Sequence, residues 1–98
     1  MSNLTPAQII STLSSISKDI DEATDDIAEF DEQAVRARAN YKTAYARAFL
    51  GSSGSMDIRK YTAELETAEA HLESELADQK HRASVGAIRA LRDRLEVG

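Results

Sequence analysis

The chain has 98 residues, a net charge of -5, 42% hydrophobic and 30% charged residues, and no cysteine. This length allows one domain, and the lack of cysteine excludes disulfides, thiolate nucleophiles and cysteine-ligated zinc. One proline, four glycines and few aromatic residues favour long helices over strands, so an all-α fold is predicted.

The first predicted element is a helix over about residues 6–50. Thr5 suits the N-cap, Pro6 the first helical position, and Gln8 completes a capping box. An apolar residue then recurs at gaps alternating between four and three residues, which is typical of a coiled-coil helix. Because one helix in water cannot hide such a stripe, a partner helix is implied. The stripe comprises Ile9, Leu13, Ile16, Ile20, Ala23, Ile27, Phe30, Ala34, Ala37, Tyr41, Ala44 and Ala48.

Residues 51–55 form the predicted turn. Gly51 suits a left-handed position after the first helix, and Ser55 suits the N-cap of a second helix over about residues 56–97. Two helices of similar length on a short turn predict a single domain, residues 1–98, folded as an antiparallel hairpin. The second helix also carries an apolar stripe, but its three-and-four spacing is interrupted once by a stutter and then resumes on a shifted face. A second line of apolar residues beside the resumed stripe makes the apolar surface wider there. The stripe residues are Ile58, Tyr61, Leu65, Ala68 and Leu72, then Leu76, Ala83, Ala87 and Ala90, with Ile88, Leu91 and Leu95 beside them.

Charge alternates in four bands along the chain. Residues 1–35 hold one base and eight acids, 36–60 six bases and one acid, 61–78 six acids and neither lysine nor arginine, and 79–98 five bases and two acids. Folding the chain at residues 52–53 places unlike bands opposite each other, as expected for a paired coil. The predicted pairs are Arg36–Glu69, Arg38–Glu66, Lys42–Glu64, Arg47–Asp57, Asp25–Lys80 and Glu22–Arg82.

Both predicted helices are most apolar at the open end of the hairpin. A two-helix hairpin cannot cover that much apolar surface, so we predict self-association there, as a dimer that completes a four-helix bundle. Gly86 either allows another helix to approach this one closely or is a surface glycine that the helix tolerates. The predicted interface comprises Ile9, Ile10, Leu13, Ile16, Ala83, Gly86, Ala87, Ile88, Leu91 and Leu95.

No catalytic, cofactor-binding or metal-binding residues are predicted, and we expect a protein that is not an enzyme. His71 and His81 are ten residues apart and point in different directions on one helix. Asp78 and His81 share a face and supply half of a possible metal site, although an exposed helix pair explains them better. The acids of residues 19–32 lack the glycine and ligand order of an EF-hand loop.

The turn end carries basic residues interleaved with aromatic ones. This mixture can bind single-stranded nucleic acid through phosphate contacts and stacking, but the same bases can simply pair with acids of the second helix. The candidate contact residues are Arg36, Arg38, Lys42, Tyr45, Arg47, Phe49, Arg59 and Lys60.

The run Tyr45–Ser55, with its Tyr-Ala-x-Ala-Phe-Leu start and Gly-Ser turn, and the arginine-rich run Leu91–Gly98 resemble small all-helical proteins of unknown function from tailed phages and prophages of actinobacteria. The resemblance covers about residues 41–98 and implies an accessory role in the host cytoplasm. A weaker similarity is to hairpin substrates of type VII secretion, but Phe49-Leu50-Gly51 lacks the tryptophan of their Trp-x-Gly turn.

Together these patterns predict a cytoplasmic, oligomeric coiled-coil adaptor that binds itself and an unidentified protein partner. The alternative is a nucleic-acid-binding or recombination accessory protein that uses the turn end. No signal peptide or membrane-spanning run is expected, and no membrane partner.

Overall fold

A computed structural model describes residues 4–97, whose helices are α1 (Pro6–Gly51), α2 (Met56–Glu66) and α3 (Ala68–Val97). No strand occurs in this described range, and the predicted all-α fold is confirmed. The molecule measures 74 × 21 × 16 Å, and α1 alone, with 46 residues, accounts for roughly 69 Å of that length at 1.5 Å per residue. The protein is therefore a thin helical rod.

The predicted start of α1 is confirmed in atomic detail. The Thr5 backbone N–H donates to Gln8 Oε1 at 2.8 Å, and the Gln8 backbone N–H donates to Thr5 Oγ1 at 3.2 Å. These two bonds form a capping box, with Pro6 at the first helical position. Ser55 likewise caps α2, because its Oγ accepts the Ile58 backbone N–H at 3.3 Å.

The turn differs from the prediction in which glycine adopts positive φ. Gly51 is the last residue of α1, and Ser52 is the C-cap. Gly54 has φ 112°, and a Cβ there would lie 3.2 Å from Ile58 Cγ2. Gly54, one residue before the Ser55 cap, therefore makes the reversal that the sequence assigned to Gly51.

The second helix is broken, which corrects the expectation of one helix over residues 56–97. The break is at Thr67 (φ -109°, ψ 12°), whose side chain is almost fully buried. Thr67 Oγ1 donates to the Ala63 carbonyl at 2.6 Å, the same carbonyl that accepts the Thr67 backbone N–H at 3.1 Å. A threonine hydroxyl that donates to a carbonyl of the preceding turn can bend a helix, but Thr12 and Thr24 make the same bond within the continuous α1. The bond at Thr67 therefore accompanies the break between α2 and α3 and does not by itself explain it.

α3 lies antiparallel to α1. Arg38 Nη2 donates to Asp78 Oδ1 at 2.9 Å, and towards the N-terminus of α1 His81 Nε2 lies 3.9 Å from Asp31 Oδ1. None of the six ion pairs predicted from the charge bands forms within the described residues; Arg38, for example, binds Asp78 instead of Glu66. The observed contacts are displaced along the helices from the predicted register, since Asp78 lies twelve residues beyond Glu66. In addition, α2 and α3 turn a different face towards α1.

The α1 stripe faces inward as predicted from Ile16 to Ala48, whereas Ile9 and Leu13 are 44% and 46% exposed. From Ala63 to Ala77 the inward residues are small, and the predicted bulky stripe from Ile58 to Leu76 lies outside. Further along α3, the predicted second line (Ile88, Leu91 and Leu95) faces inward. The opposing stretch of α1 is alanine-rich, with Ala34 buried, so small residues on both sides allow a close approach that bulky side chains would prevent. The inward line comprises Ala63, Thr67, Ala70, Ser74, Ala77, His81, Ser84, Ile88, Leu91 and Leu95.

This inward line also removes the predicted stutter at Leu76. From Thr67 to Leu95 its gaps alternate between three and four without interruption. The irregular step occurs earlier, where two successive gaps of four residues join Arg59, Ala63 and Thr67, next to the helix break. The packed face thus contains one irregular step in its spacing, but this step lies near Thr67 and not at Leu76, where it was predicted.

Candidate functional site

Five large apolar side chains form an exposed row on α2 and α3, which we call the outer stripe. Successive helical residues are about 100° apart, which places the row almost opposite the inward line. The outer stripe comprises Ile58 (55% exposed), Tyr61 (63%), Leu65 (79%), Leu72 (55%) and Leu76 (53%). An apolar surface of this extent is typical of an interaction site.

Acidic side chains border the outer stripe on both sides. Helical geometry places Asp57, Glu64 and Glu75 along one border. The other border carries Glu66, Glu69 and Glu73, and all six residues are exposed. Among them, Glu75 contacts His71 Nε2 at 3.1 Å, and the other five form no ion pair within residues 4–97. The stripe is thus an apolar row between two negative edges.

Beside Leu76, a groove of about 530 Å³ runs between α1 and α3. Gln33, Leu76, Lys80 and Ala83 are among the residues that line it. Lys80 Nζ lies 5.5 Å from the centre of the Phe30 ring, which places a cation over an aromatic face at the groove wall. The groove therefore extends the exposed surface of α3 towards α1.

The structure divides the candidate nucleic-acid residues at the turn end into two groups. Arg36 pairs with Glu32 on its own helix at 2.8 Å, and Arg38 pairs with Asp78 at 2.9 Å. Five of the remaining candidates are exposed bases or half-buried aromatics, and Arg59 is half-buried with its Nε lacking a hydrogen-bond partner within the described residues. The five are Lys42, Tyr45, Arg47, Phe49 and Lys60. The expected pairing of the turn-end bases with acids of the second helix thus occurs for Arg38, though with another partner.

Aromatic rings form a ladder along this end of α1. The Tyr41 and Tyr45 ring centroids are 6.3 Å apart, and those of Tyr45 and Phe49 are 6.4 Å apart. His71 stacks on Tyr41 with a centroid separation of 4.7 Å. Since all three rings of α1 are half-buried, much of their surface is used to hold the helices together.

The residues predicted as the open-end interface are in three different settings. Ile9, Ile10 and Leu13 are exposed, as are Ala83, Gly86 and Ala87. Ile16, Leu91 and Leu95 are half-buried on the inward lines. Ile88 is only 8% exposed and is buried within the single chain, unlike the other residues of the predicted interface.

The two histidines lie in different surroundings, as their spacing suggested. His71 contacts Tyr41 and Glu75, whereas His81 is nearest Asp31. Asp78 pairs with Arg38, so the Asp78–His81 half-site is occupied by other contacts. In the part of the chain that the structure describes, no group of three or more His, Asp or Glu side chains is arranged to hold a metal ion.

Sequence reasoning missed the outer stripe as an exposed surface because it assigned the same residues to the helix pair. A second periodic line, from Ala63 through Thr67, Ala70 and Ser74 to Ala77, was present in the sequence and marks the packed face.

No helix over residues 4–97 combines the length and apolar character needed to cross a bilayer. Comparison with protein-family models, with curated proteins and with solved structures gives no match.

Proposed function

We propose that the protein is a non-enzymatic adaptor or accessory protein that self-associates and acts through protein–protein contacts. Its protomer is an antiparallel helical hairpin, and a second copy completes a four-helix assembly. The observation that carries this proposal is the outer stripe, five bulky apolar residues that the protomer leaves in water. Removing such side chains from water contributes roughly 1.5–3 kcal/mol each, which favours association.

The total surface supports the same proposal. The protomer exposes 7515 Å². A monomeric protein of 10.7 kDa exposes about 5,500 Å² according to the size scaling of folded chains. The excess follows from the thin rod shape, in which much of the apolar surface cannot be enclosed by one copy. Association is the means by which such a chain reduces that excess.

Sedimentation equilibrium tests this function directly. We expect wild type to be dimeric or larger at micromolar concentration, and Leu65→Glu to raise the dissociation constant roughly 100-fold or more, because two buried leucines are lost per dimer. Val35→Glu is the matched control, since Val35 is 54% exposed on α1, away from the stripe. A wild type that stays monomeric throughout would reject self-association, and equal effects of both variants would reject the stripe.

The resemblance to phage-encoded helical proteins supports an accessory role in a host cytoplasm. We propose that setting for the adaptor. Its protein partner is expected to bind the assembled form, because the assembly is the state in which the apolar surface is covered.

Nucleic-acid binding is a second candidate, favoured by Lys42, Arg47 and Lys60, which are exposed and form no ion pair within the described residues. A titration of fluorescent single-stranded DNA at low and high salt tests it. Binding that weakens with salt and is lost when Lys42, Arg47 and Lys60 are changed to alanine supports this candidate. Absence of binding at low salt eliminates it.

A further inference from the structure

The outer stripe does not end at Leu76. Ala83, Gly86, Ala87 and Ala90 are exposed and fall in the same sector of the helix, about 100° wide. One face of the α2–α3 arm is therefore largely apolar from Ile58 to Ala90, interrupted by the exposed Gln79 and, at its edge, by Glu69. Its first half is bulky and its second half is made of small residues.

The charges bordering this face change sign at the same point. The bulky half is bordered by the six acids described above, with His71 beside Glu75. The small half is bordered by Arg82 and Arg89 on one side and by Lys80 on the other, and all three are exposed. Size and charge thus both reverse along a single face.

We propose that two copies of the chain pair antiparallel through this face, with a two-fold axis at the level of Ser74. The inference rests on the proposed self-association and assigns it a face and a register. Each bulky half then lies on the small half of the other copy, where alanine and glycine leave room for leucine and tyrosine side chains. Shape complementarity of this kind is what a specific interface requires.

The register follows from the symmetry. In an antiparallel pair, Leu65 faces the partner's Ala83, and Tyr61 faces the partner's Ala87. Leu72 and Leu76 meet near the axis. Two such faces bury on the order of 1,000–1,500 Å² in total, which is enough for a specific interface.

The same register brings unlike charges together on both borders. The two-fold axis that relates two antiparallel helices places each border of one copy beside the same border of the other copy. Glu64 then lies near the partner's Arg82, and Glu66 near the partner's Lys80. Asp57 lies near the partner's Arg89. Each interaction occurs twice, which gives the pairing its direction and register.

Pairing the bulky halves with each other is disfavoured by the same borders. That arrangement, centred near Thr67, sets a row of acids against a row of acids on each side, and like charges so placed are repulsive. In the proposed register, like charges meet only at the axis, where Glu73 and Glu75 each approach their own copies. Glu73→Gln should therefore tighten the dimer, whereas Glu64→Gln should weaken it.

Disulfide trapping tests the register, because the chain contains no cysteine. Leu65→Cys and Ala83→Cys are prepared as separate variants and equilibrated together in a glutathione redox buffer. We expect a mixed disulfide between the two variants, which needs Cα atoms about 4.4–6.8 Å apart. Either variant alone should form no disulfide dimer, since residues 65 and 83 lie about 27 Å apart along the helix.

The outcomes separate this inference from the proposed function. A disulfide dimer of Leu65→Cys alone indicates a parallel pair or bulky-on-bulky pairing and overturns the inference. A wild type that is dimeric by sedimentation, without the mixed disulfide, also overturns the register but leaves self-association standing. A monomeric wild type rejects both. Circular dichroism of each cysteine variant confirms that the helices are intact.

Discussion

Ala63 and Leu65 provide the sharpest test of which face of α2 is packed. Ala63 is 0% exposed and Leu65 is 79% exposed, although they are only two positions apart. Ala63→Leu inserts a larger side chain between α1 and α2, and overpacking of this kind costs about 1–3 kcal/mol. Leu65→Ala removes a side chain that contacts mainly water, so its effect on the protomer stays within about 0.5 kcal/mol.

The measurement is thermal unfolding followed by far-ultraviolet circular dichroism, at concentrations low enough that association does not contribute. Since 1 kcal/mol shifts the midpoint by roughly 4–8 °C in a chain of this size, Ala63→Leu should lower Tm by about 4–24 °C. Leu65→Ala should lower it by at most about 4 °C. If the heptad reading of the sequence were right, the order would reverse, and Leu65→Ala would cost about 2–5 kcal/mol. That reversal would refute the packing described above.

Two further predictions concern the turn and the main cross-helix ion pair. Gly54→Ala should destabilise the protein by about 1–2 kcal/mol, because φ is positive and the added Cβ meets Ile58. Gly51→Ala, at a helical position with open space around it, is the control in the same melts and should stabilise by up to about 1 kcal/mol. Equal effects of the two changes would contradict the assignment of the reversal to Gly54. A double-mutant cycle on Arg38 and Asp78 should give a coupling of about 0.2–1 kcal/mol that decreases with salt, since both side chains are more than a third exposed. A coupling independent of salt would show that the contact is not ionic.

The local signals of the sequence were reliable. Thr5 and Gln8 form the predicted capping box, Ser55 caps the second arm, and α1 begins and ends within one residue of its expected bounds. Each depends on interactions across three or four residues, which the sequence specifies directly. The breaking of the second arm at Thr67 is also local, but a threonine inside a helix usually continues it.

The choice of packed face could not be read from apolar size. Residues 58–76 carry two periodic lines on opposite sides, one bulky and one small. A hydrophobicity criterion prefers the bulky line, whereas the alanines of α1 fit the small one, from Ala63 to Ala77. Only the pairing of both surfaces decides between them. The predicted ion pairs depended instead on the fold point at residues 52–53, and the observed Arg38–Asp78 pair is displaced from that register. The outer-stripe residues were therefore recognised as one periodic line but assigned to the packed face, and the predicted interface was placed at the open end of the hairpin instead.

The small-residue interior has a consequence for how long the protein survives in a cell. Ala34, Ala63 and Ile88 are the apolar residues buried in the described range, which is a modest core for a chain of this length. A protomer with so little enclosed hydrocarbon opens often, and open helices are cut by proteases. In the proposed self-association, binding of a second copy holds the closed state by mass action. We therefore expect the half-life of the protein in a cell to rise steeply with its concentration, because the associated form is degraded more slowly than the single chain.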